Sequence, residues 1–247
     1  MEPGEYEAMY RLEGTLWWYK GQRKITQALF DRFLPRGGQL EILDVGAGTG
    51  GQLAQLARLG RVTAFDYSPL AVGFFKSRAN DRVAQASAAA MPFRDASFDL
   101  VTVFDVTLTL DNEAEAAALK EIARVLKPGG YFFWREPALM FLHGGPHDRA
   151  THAYRRYNTG AFAERLGSMG LKPQRLSYAN MLLLPIAMVG RLASKLRSSE
   201  APPRSDVRPV PEPLNSILAG ILSLEAPLIA KYGLPIGLSV LTLAKKE

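Results

Sequence analysis

The chain has 247 residues, of which 47% are hydrophobic and 22% charged, and it contains no cysteine. This length fits one large domain or one and a half, and the apolar fraction is enough for a sizeable core, so global disorder is excluded. The absence of cysteine excludes a disulfide framework, cysteine-ligated zinc or iron–sulfur sites, and thiol catalysis. The net charge of +6 is uneven, because residues 136–247 hold 14 basic against 8 acidic side chains while the preceding segments are nearly neutral.

No run reaches the roughly 18 uninterrupted apolar residues that typify a membrane span. The N-terminus carries Glu2, Glu5 and Glu7, which is unlike the basic start of a signal peptide. We therefore expect a cytoplasmic protein.

Residues 5–34 place apolar side chains at helical spacing and predict one helix, which ends at Gly37-Gly38. Beyond it the pattern alternates between strand and helix. The predicted strands are 41–45, 61–65, 82–86, 99–104 and 131–134, and the predicted helices are 51–59, one starting at 68, and 112–126. Such alternation predicts an α/β fold with a doubly wound, Rossmann-like parallel sheet.

The regular alternation of predicted strands and helices ends after residue 136. Residues 137–157 are predicted to form an irregular loop that holds all three histidines, followed by a helix at 159–169 and a strand at 171–178. An apolar helix near 180–196, a proline-rich linker at about 198–213, a second helix near 214–231 and a last strand at 238–244 complete the chain. A late insertion of this kind often forms a substrate cap in α/β enzymes.

The strongest motif is Leu-Asp-Val-Gly-Ala-Gly-Thr-Gly-Gly at residues 43–51, where a strand ends, the backbone turns and a helix begins. Glycines let the backbone approach a ligand, and helix N-termini favour anions. Gly46, Gly48 and Gly51 satisfy the dinucleotide spacing, and Asp66 lies at a strand end where it could accept both hydroxyls of a ribose. NAD and S-adenosylmethionine both fit this turn, and a turn without a ligand is the third interpretation.

Asp44 favours S-adenosylmethionine over NAD as the ligand. It places a carboxylate at the strand tip, two residues before the first glycine. A dinucleotide site usually has an apolar residue there, whereas a ligand with an amino group and a sulfonium gains from a nearby anion.

Three further segments follow in order: AFDYSP at 64–69, AMPFRDASFDLV at 90–101 and EIARVLKPGG at 121–130. Together with the glycine motif they resemble the class I S-adenosylmethionine-dependent methyltransferases of the small-molecule type. The resemblance covers about half the chain well and implies a seven-stranded sheet with its last strand antiparallel. It divides the chain into an N-terminal helical lid (1–39), a cofactor-binding core (40–178 plus 236–247) and a helical insertion (179–235).

The resemblance also implies a set of cofactor-binding residues at or just beyond the strand ends. These are Asp44 near the cofactor's amino group, Gly46 and Gly48 against its methionine part, Asp66 on the ribose, Tyr67 on the adenine, Ser87 and Ala88 beside the adenine, and Phe104 and Asp105 facing the methyl donor. Ser87 stands where the family often has an aspartate, which leaves the backbone of Ala88 as the adenine contact. Asp105 is in addition a candidate catalytic residue.

Trp17-Trp18-Tyr19 followed by Arg23 resembles the aromatic lid of a subset of these enzymes. Aromatic faces attract a sulfonium, so Trp18 is a candidate cofactor contact. Arg23 could pair with the methionine carboxylate. The alternative is that the tryptophans anchor the helix to the core.

A general base is needed only if the acceptor must lose a proton. His147, oriented by the neighbouring Asp148, is the preferred candidate, and His143 is the second. Loop-structuring or phosphate-binding roles are alternatives, as is a metal site of His143, His147 and Asp148. We predict no metal.

The residues after the histidines are candidate acceptor ligands. His152, Arg155, Arg156 and Tyr157 could bind phosphate or carboxylate, and the alternative is a solvated start of the next helix. This block resembles methyltransferases of polysaccharide and natural-product gene clusters, which implies a glycosyl, polyketide or lipid-linked acceptor.

The inserted helices are apolar, with basic residues nearby. They could form a cap over the acceptor, a homodimer interface or a membrane-surface contact, and a nucleic-acid site is not predicted. We therefore predict an S-adenosylmethionine-dependent methyltransferase that releases S-adenosylhomocysteine and methylates a small or lipid-like acceptor at oxygen. The rival interpretations are an NAD-dependent oxidoreductase and a non-catalytic nucleotide-binding protein.

Overall fold

The structure, a computed structural model, describes residues 1–76, 78, 82–144, 146–189 and 208–247, without the side chains of Pro146 and His147. Its centre is a seven-stranded sheet in the order β3-β2-β1-β4-β5-β7-β6. The strands are β1 (Leu40–Val45), β2 (Gly60–Asp66), β3 (Val83–Gln85), β4 (Phe98–Phe104), β5 (Leu126–Pro137), β6 (Leu171–Ala179) and β7 (Ser239–Lys246). Strands β1 to β5 pair in parallel, and β7 is antiparallel to both of its neighbours. The predicted fold class is confirmed.

Helices cover both faces of the sheet. They are α1 (Pro3–Leu12), α2 (Trp17–Phe33), α3 (Leu53–Leu56), α4 (Pro69–Lys76), α5 (Asn112–Val125), α6 (Pro146–Thr151), α7 (Thr159–Ser168), α8 (184–189), α9 (Glu212–Ser223) and α10 (Glu225–Lys231). Along β5, Phe132 and Trp134 pack into the core shared with α5 and α7, whereas Phe133 packs into the core shared with α2, α9 and α10. Because both faces are buried, the central strands are apolar throughout.

The predicted single helix over 5–34 is wrong, because the chain breaks between α1 and α2. The amide of Trp17 donates to the side chain of Asn215 at 2.7 Å, so it is not available for a helical bond to Glu13. The carbonyl of Glu13 instead accepts a 2.7 Å hydrogen bond from Arg23. Two long-range contacts thus replace the local bond that would have continued the helix.

Other predicted boundaries also differ from the structure. The helix expected at 51–59 covers only Leu53–Leu56, because the amides of Arg58 and Leu59 donate to carbonyls three residues earlier, as in a turn, rather than four. The loop expected at 137–157 contains α6 and a 3₁₀ turn at Met140–Leu142. Strand β5 is also longer than the predicted 131–134.

The inserted segment is described in part. The helix predicted near 214–231 is two helices, α9 and α10, joined at Leu224. The helix predicted near 180–196 is helical only at 184–189 of its described part, while residues 190–196 and most of the 198–213 linker lie outside the described residues. Among the described residues, the run Glu212–Lys231 contains an 18-residue window with the length and mean hydropathy (1.4) of a helix that could cross a membrane, and 33% of that window is buried within the protein.

Candidate cofactor and acceptor site

The turn between β1 and α3 has a left-handed backbone that suits glycine at three points, of which Gly50 has φ of +84°. Gly46 and Gly48 have φ of +67° and +58°, a region that costs other residues about 1–2 kcal/mol. A Cβ on Gly46 would lie 2.6 Å from the side chain of Val106, and one on Gly48 would lie 3.3 Å from Met9 of α1. The turn is therefore enclosed between the segment after β4 and the N-terminal helix.

Two buried carboxylates flank this turn, as predicted from the sequence. The Thr102 hydroxyl donates to Asp44 across 2.7 Å, and burial raises the pKa of Asp44 to about 7. Asp66 accepts hydrogen bonds from the amides of Gly48 and Ser68, each at 2.9 Å. Burial raises the pKa of Asp66, while these amides oppose the rise. The two acids lie at the carboxyl ends of adjacent strands, where open α/β sheets bind ligands.

The residues predicted to contact adenine lie beside Asp66. Tyr67 is 77% exposed, and its backbone carbonyl accepts from the side chain of Gln85. The Ser87 hydroxyl accepts from the amide of Ala89 at 3.2 Å, and Ala88 is partly buried against the core. The structure brings these residues together, and their contact with adenine stays a prediction.

The predicted aromatic lid is anchored to the core. Trp17 and Trp18 meet edge to face with ring centroids 5.7 Å apart, and both pack against the core shared with α2, α9 and α10. Arg23 donates to the carbonyls of Glu13 and Gly14 at the break between α1 and α2. These contacts give Arg23 a structural role, and its pairing with a ligand carboxylate stays a prediction.

The region beyond β4 contains an ion pair that sequence reasoning missed. Arg135, whose side chain is buried at the end of β5, pairs with Asp105 and lies 5.2 Å from the ring of Phe104. Asp105 has φ of +58°, a strained conformation for a residue with a side chain. The guanidinium also reaches Gln22 of α2 at 3.5 Å. The signal for this ion pair in the sequence was a single arginine at the end of an apolar strand.

Glu136 holds the segment after β4 in place. Its wholly buried carboxylate accepts from the amide and hydroxyl of Thr107, at 2.8 and 2.7 Å, and from the Trp134 indole at 3.1 Å. Burial raises the pKa of Glu136 to about 8. The amide of Val106, which packs on Gly46, also donates to this carboxylate. Glu136 therefore fixes the position of Val106, which packs against the glycine turn.

The three predicted histidines differ in their surroundings. The ring of His143 donates to the carbonyl of Ala153 at 3.0 Å. His152, with φ of +56°, lies 2.9 Å from the carboxylate of Glu2. Both line a cavity of about 340 Å³. The side chain of His147 lies outside the described part of the structure, so its role as a base stays a prediction.

The predicted acceptor ligands after the histidines are not a solvated helix start. Arg156 and Asp148 form a 2.6 Å ion pair in which neither side chain is more than 3% exposed. Arg155 pairs with Glu115, which also accepts from the hydroxyl of Tyr157 at 2.7 Å. Glu115 was missed, because its helical position alone did not indicate distant partners. Arg155, Arg156 and Tyr157 also line a cavity of about 470 Å³, and their contact with an acceptor stays a prediction.

A comparison with protein families identifies the family of the segment that carries the glycine turn and the two acids. The family described as "Methyltransferase domain" matches residues 43–134, the segment that runs from β1 into β5. Residues 43–134 are a class I methyltransferase domain. The match confirms the resemblance drawn from the motifs and supports S-adenosylmethionine as the cofactor.

Two curated relatives match part of this chain. A demethylmenaquinone methyltransferase of Clavibacter sepedonicus is 45% identical over 95 residues, which is 36% of this chain and 38% of that protein. The ubiquinone/menaquinone biosynthesis C-methyltransferase UbiE of Shewanella halifaxensis is 38% identical over 103 residues, 37% of this chain and 40% of that protein. The chain thus matches about two fifths of the length of these relatives.

Solved structures extend the likeness to the whole fold. The [4+2]-cyclase SpnF superposes with a TM-score of 0.58 at 20% identity and covers 93% of this chain and 82% of the cyclase. Because a protein described as a cyclase shares the fold of the methyltransferase domain, the fold by itself does not decide the reaction.

Proposed function

We propose that this chain is an S-adenosylmethionine-dependent methyltransferase that acts on a small-molecule or lipid-like acceptor, with oxygen as the methylated atom. The observation that carries the proposal is the glycine turn between the buried carboxylates of Asp44 and Asp66, inside the segment that matches the family. The cytoplasmic location expected from the sequence stays part of this proposal.

The residues at the sheet edge fit the proposed cofactor. Asp66 accepts hydrogen bonds from the backbone amides of Gly48 and Ser68 on separate oxygens, and the amide of Tyr67 also lowers its pKa. A carboxylate offers about four lone pairs, so it keeps capacity for a ribose hydroxyl. Asp44 offers a carboxylate to the ammonium of the methionine part, and the backbone of Gly46 and Gly48 is proposed to lie against the same part. When bound, S-adenosylmethionine supplies a methyl group activated by a sulfonium, and the protein has to align the acceptor and exclude water.

The acceptor side is proposed to lie between the segment after β4 and the loop after β5. Asp105 faces this space from the end of β4, where Arg135 holds its carboxylate. Asp105, His143 and His147 are the candidates to receive a proton from a hydroxyl acceptor. The basic residues around the 470 Å³ cavity are proposed to favour an acceptor that carries phosphate or carboxylate.

Methylation at carbon is a second candidate, because UbiE is named as a C-methyltransferase. A phenolate formed by loss of a proton can react at its oxygen or at a neighbouring ring carbon. The first step that the protein must assist is therefore the same for both candidates.

The inserted helices are proposed to cap the acceptor side or to join two copies of the chain, with a membrane-surface contact as the alternative. Helix α9 packs closely on α2, since a Cβ on Gly21 would collide with Leu222. Its outer side exposes Ile217, and α10 exposes Leu228. The three-part division of the chain remains an interpretation on which this proposal rests.

Equilibrium binding tests the cofactor. Titration with S-adenosylhomocysteine and with NAD should show binding of the first alone, and binding of NAD alone would instead support the oxidoreductase. Incubation of small-molecule and lipid extracts with [13C-methyl]S-adenosylmethionine should then label an acceptor. The carbon shift of the new methyl group separates O-methyl from C-methyl products, and a protein that binds S-adenosylhomocysteine but labels no extract would be a non-catalytic binding protein.

A further inference from the structure

Glu13 connects the N-terminal helix to the glycine turn. It lies directly after α1, and its side chain is only 5% exposed. The hydroxyl of Thr49, inside the turn, donates to Glu13 Oε2 across 2.7 Å. Gly51 also faces this carboxylate so closely that a Cβ there would overlap with it. The acid thus occupies a space that the second half of the turn leaves open.

The other oxygen of Glu13 pairs with Arg78, which lies beyond α4. The same guanidinium donates to the carbonyl of Thr49 at 3.3 Å and to the carbonyl of Tyr10 at 3.2 Å. It also lies 3.9 Å from the centroid of the Tyr10 ring. One ion pair therefore joins α1, the glycine turn and the end of α4.

The contacts of Glu13 hold α1, which lies over the glycine turn like a lid. Along the same helix, Met9 lies over Gly48, and the buried Tyr6 lies near Ser68 and Asp66. The side of α1 that carries these residues covers the positions proposed for the methionine part and the ribose. The bonds of Glu13 are the charged contacts between this helix and the turn, and a buried charge held by several donors is costly to release.

We propose that Glu13 is a positioning residue that clamps α1 over the glycine turn and so slows the departure of the bound cofactor. This inference rests on the proposed function, because it assumes that S-adenosylmethionine and S-adenosylhomocysteine bind at the turn. Opening of α1 requires that the carboxylate leave both Thr49 and Arg78. The rate of ligand release therefore depends on these contacts as well as on those made by Asp66.

The test measures S-adenosylhomocysteine dissociation and local hydrogen exchange in the full chain. Glu13→Gln keeps an oxygen for Thr49 but removes the ion pair with Arg78, so ligand dissociation should be about tenfold faster, the expected loss of one charge-assisted bond. Amides in 3–12 should exchange faster while those in 98–104 stay unchanged, because a clamp acts locally. The control is Glu7→Gln, which makes the same charge change in an exposed pair with Arg11 on the same helix, and it should behave as wild type.

Thr49→Val provides a second route if the glutamine variant does not fold. It removes the hydroxyl bonded to Glu13 and should also speed dissociation, whereas Thr49→Ser should restore the wild-type rate. Normal dissociation from folded variants would overturn the clamp, as would faster exchange throughout the chain, which indicates general destabilisation. If the wild-type protein does not bind S-adenosylhomocysteine, the proposed function itself fails. Binding by the wild type with unaltered variants overturns the clamp alone.

Discussion

The hydroxyl of Thr102 on β4 donates a 2.7 Å hydrogen bond to the carboxylate of Asp44 on β1, at a point closed to solvent. Burial raises the pKa of Asp44 to about 7, and the hydrogen bond from Thr102 opposes the rise. The carboxyl is therefore able to change protonation near neutral pH when a cation approaches it.

The affinity for S-adenosylhomocysteine should depend on pH through Asp44. The ligand ammonium favours the ionised carboxylate, so affinity should rise with pH up to about 7, by as much as about tenfold per unit, and then level off. Thr102→Val removes a bond that lowers the pKa, so the midpoint should move to higher pH. Calorimetric titration from pH 5.5 to 8.5 measures both effects. Asp44→Asn should abolish this pH dependence, and a variant that kept it would contradict the assignment.

Asp66→Ala should weaken S-adenosylhomocysteine binding about 10- to 100-fold, the cost of losing bonds to a charged acceptor, while the fold is retained. Asp95→Ala is the matched control, because Asp95 is an exposed acid that pairs with Arg124 outside the turn. Isothermal titration gives the dissociation constants, and circular dichroism checks the fold. Unchanged affinity in the Asp66 variant would remove the ribose assignment.

Glu136 should make the protein less stable as pH rises. Burial raises its pKa to about 8 in the folded chain, above the ordinary value of about 4.3 expected when unfolded. Between these values the folded state keeps a proton that the unfolded state has lost, so the unfolding free energy should fall by up to about 1.4 kcal/mol per pH unit from this group. Urea unfolding at several pH values measures the slope. Glu136→Gln should reduce it, and an identical slope would show that Glu136 does not titrate in this range.

Arg156→Met should lower the free energy of unfolding, because Arg156 is expected to act mainly in folding stability rather than in acceptor binding. It would break the buried ion pair between Arg156 and Asp148, which costs about 3–5 kcal/mol in comparable cases. Thermal and urea unfolding should reveal the loss, and Arg11→Met, in an exposed pair, should show little change. Full stability combined with a raised KM for the labelled acceptor would instead favour the substrate-binding role.

His147→Ala should lower turnover of the labelled acceptor by about 10²- to 10⁴-fold, the usual contribution of general base catalysis. Cofactor affinity should stay close to that of the wild type, because no cofactor contact is assigned to this residue. The parallel variant His143→Ala shows whether the two predicted bases differ. Full activity of the His147 variant would refute its catalytic role.

The cofactor side of the site could be predicted because its signals are local. Asp44, Gly46 and Gly48 lie within one strand and turn, and Asp66 ends the next strand. Parallel pairing brings successive carboxyl ends to the same edge of a sheet. The alternation of strands and helices indicated that pairing, and the family motifs indicated which ligand such an edge would hold.

The polar contacts on the acceptor side and in the lid could not be predicted in this way. Arg135 pairs with Asp105, Glu13 with Thr49, and Glu115 with Arg155, across separations of 30, 36 and 40 residues. A charged residue at the end of a strand or on a helix has many possible partners, and its local pattern does not select one. The same holds for the break after α1, where Asn215 takes the amide of Trp17 from a distance of 198 residues.

The sequence by itself determined the order of the strands, the glycine turn and the acids beside it, because periodicity and backbone conformation are properties of neighbouring residues. The tertiary structure decided where the buried charges pair and how the N-terminal helix lies over the turn. Burial makes an unpaired charge costly, so these partners are selected by which side chains the packed sheet and helices bring together.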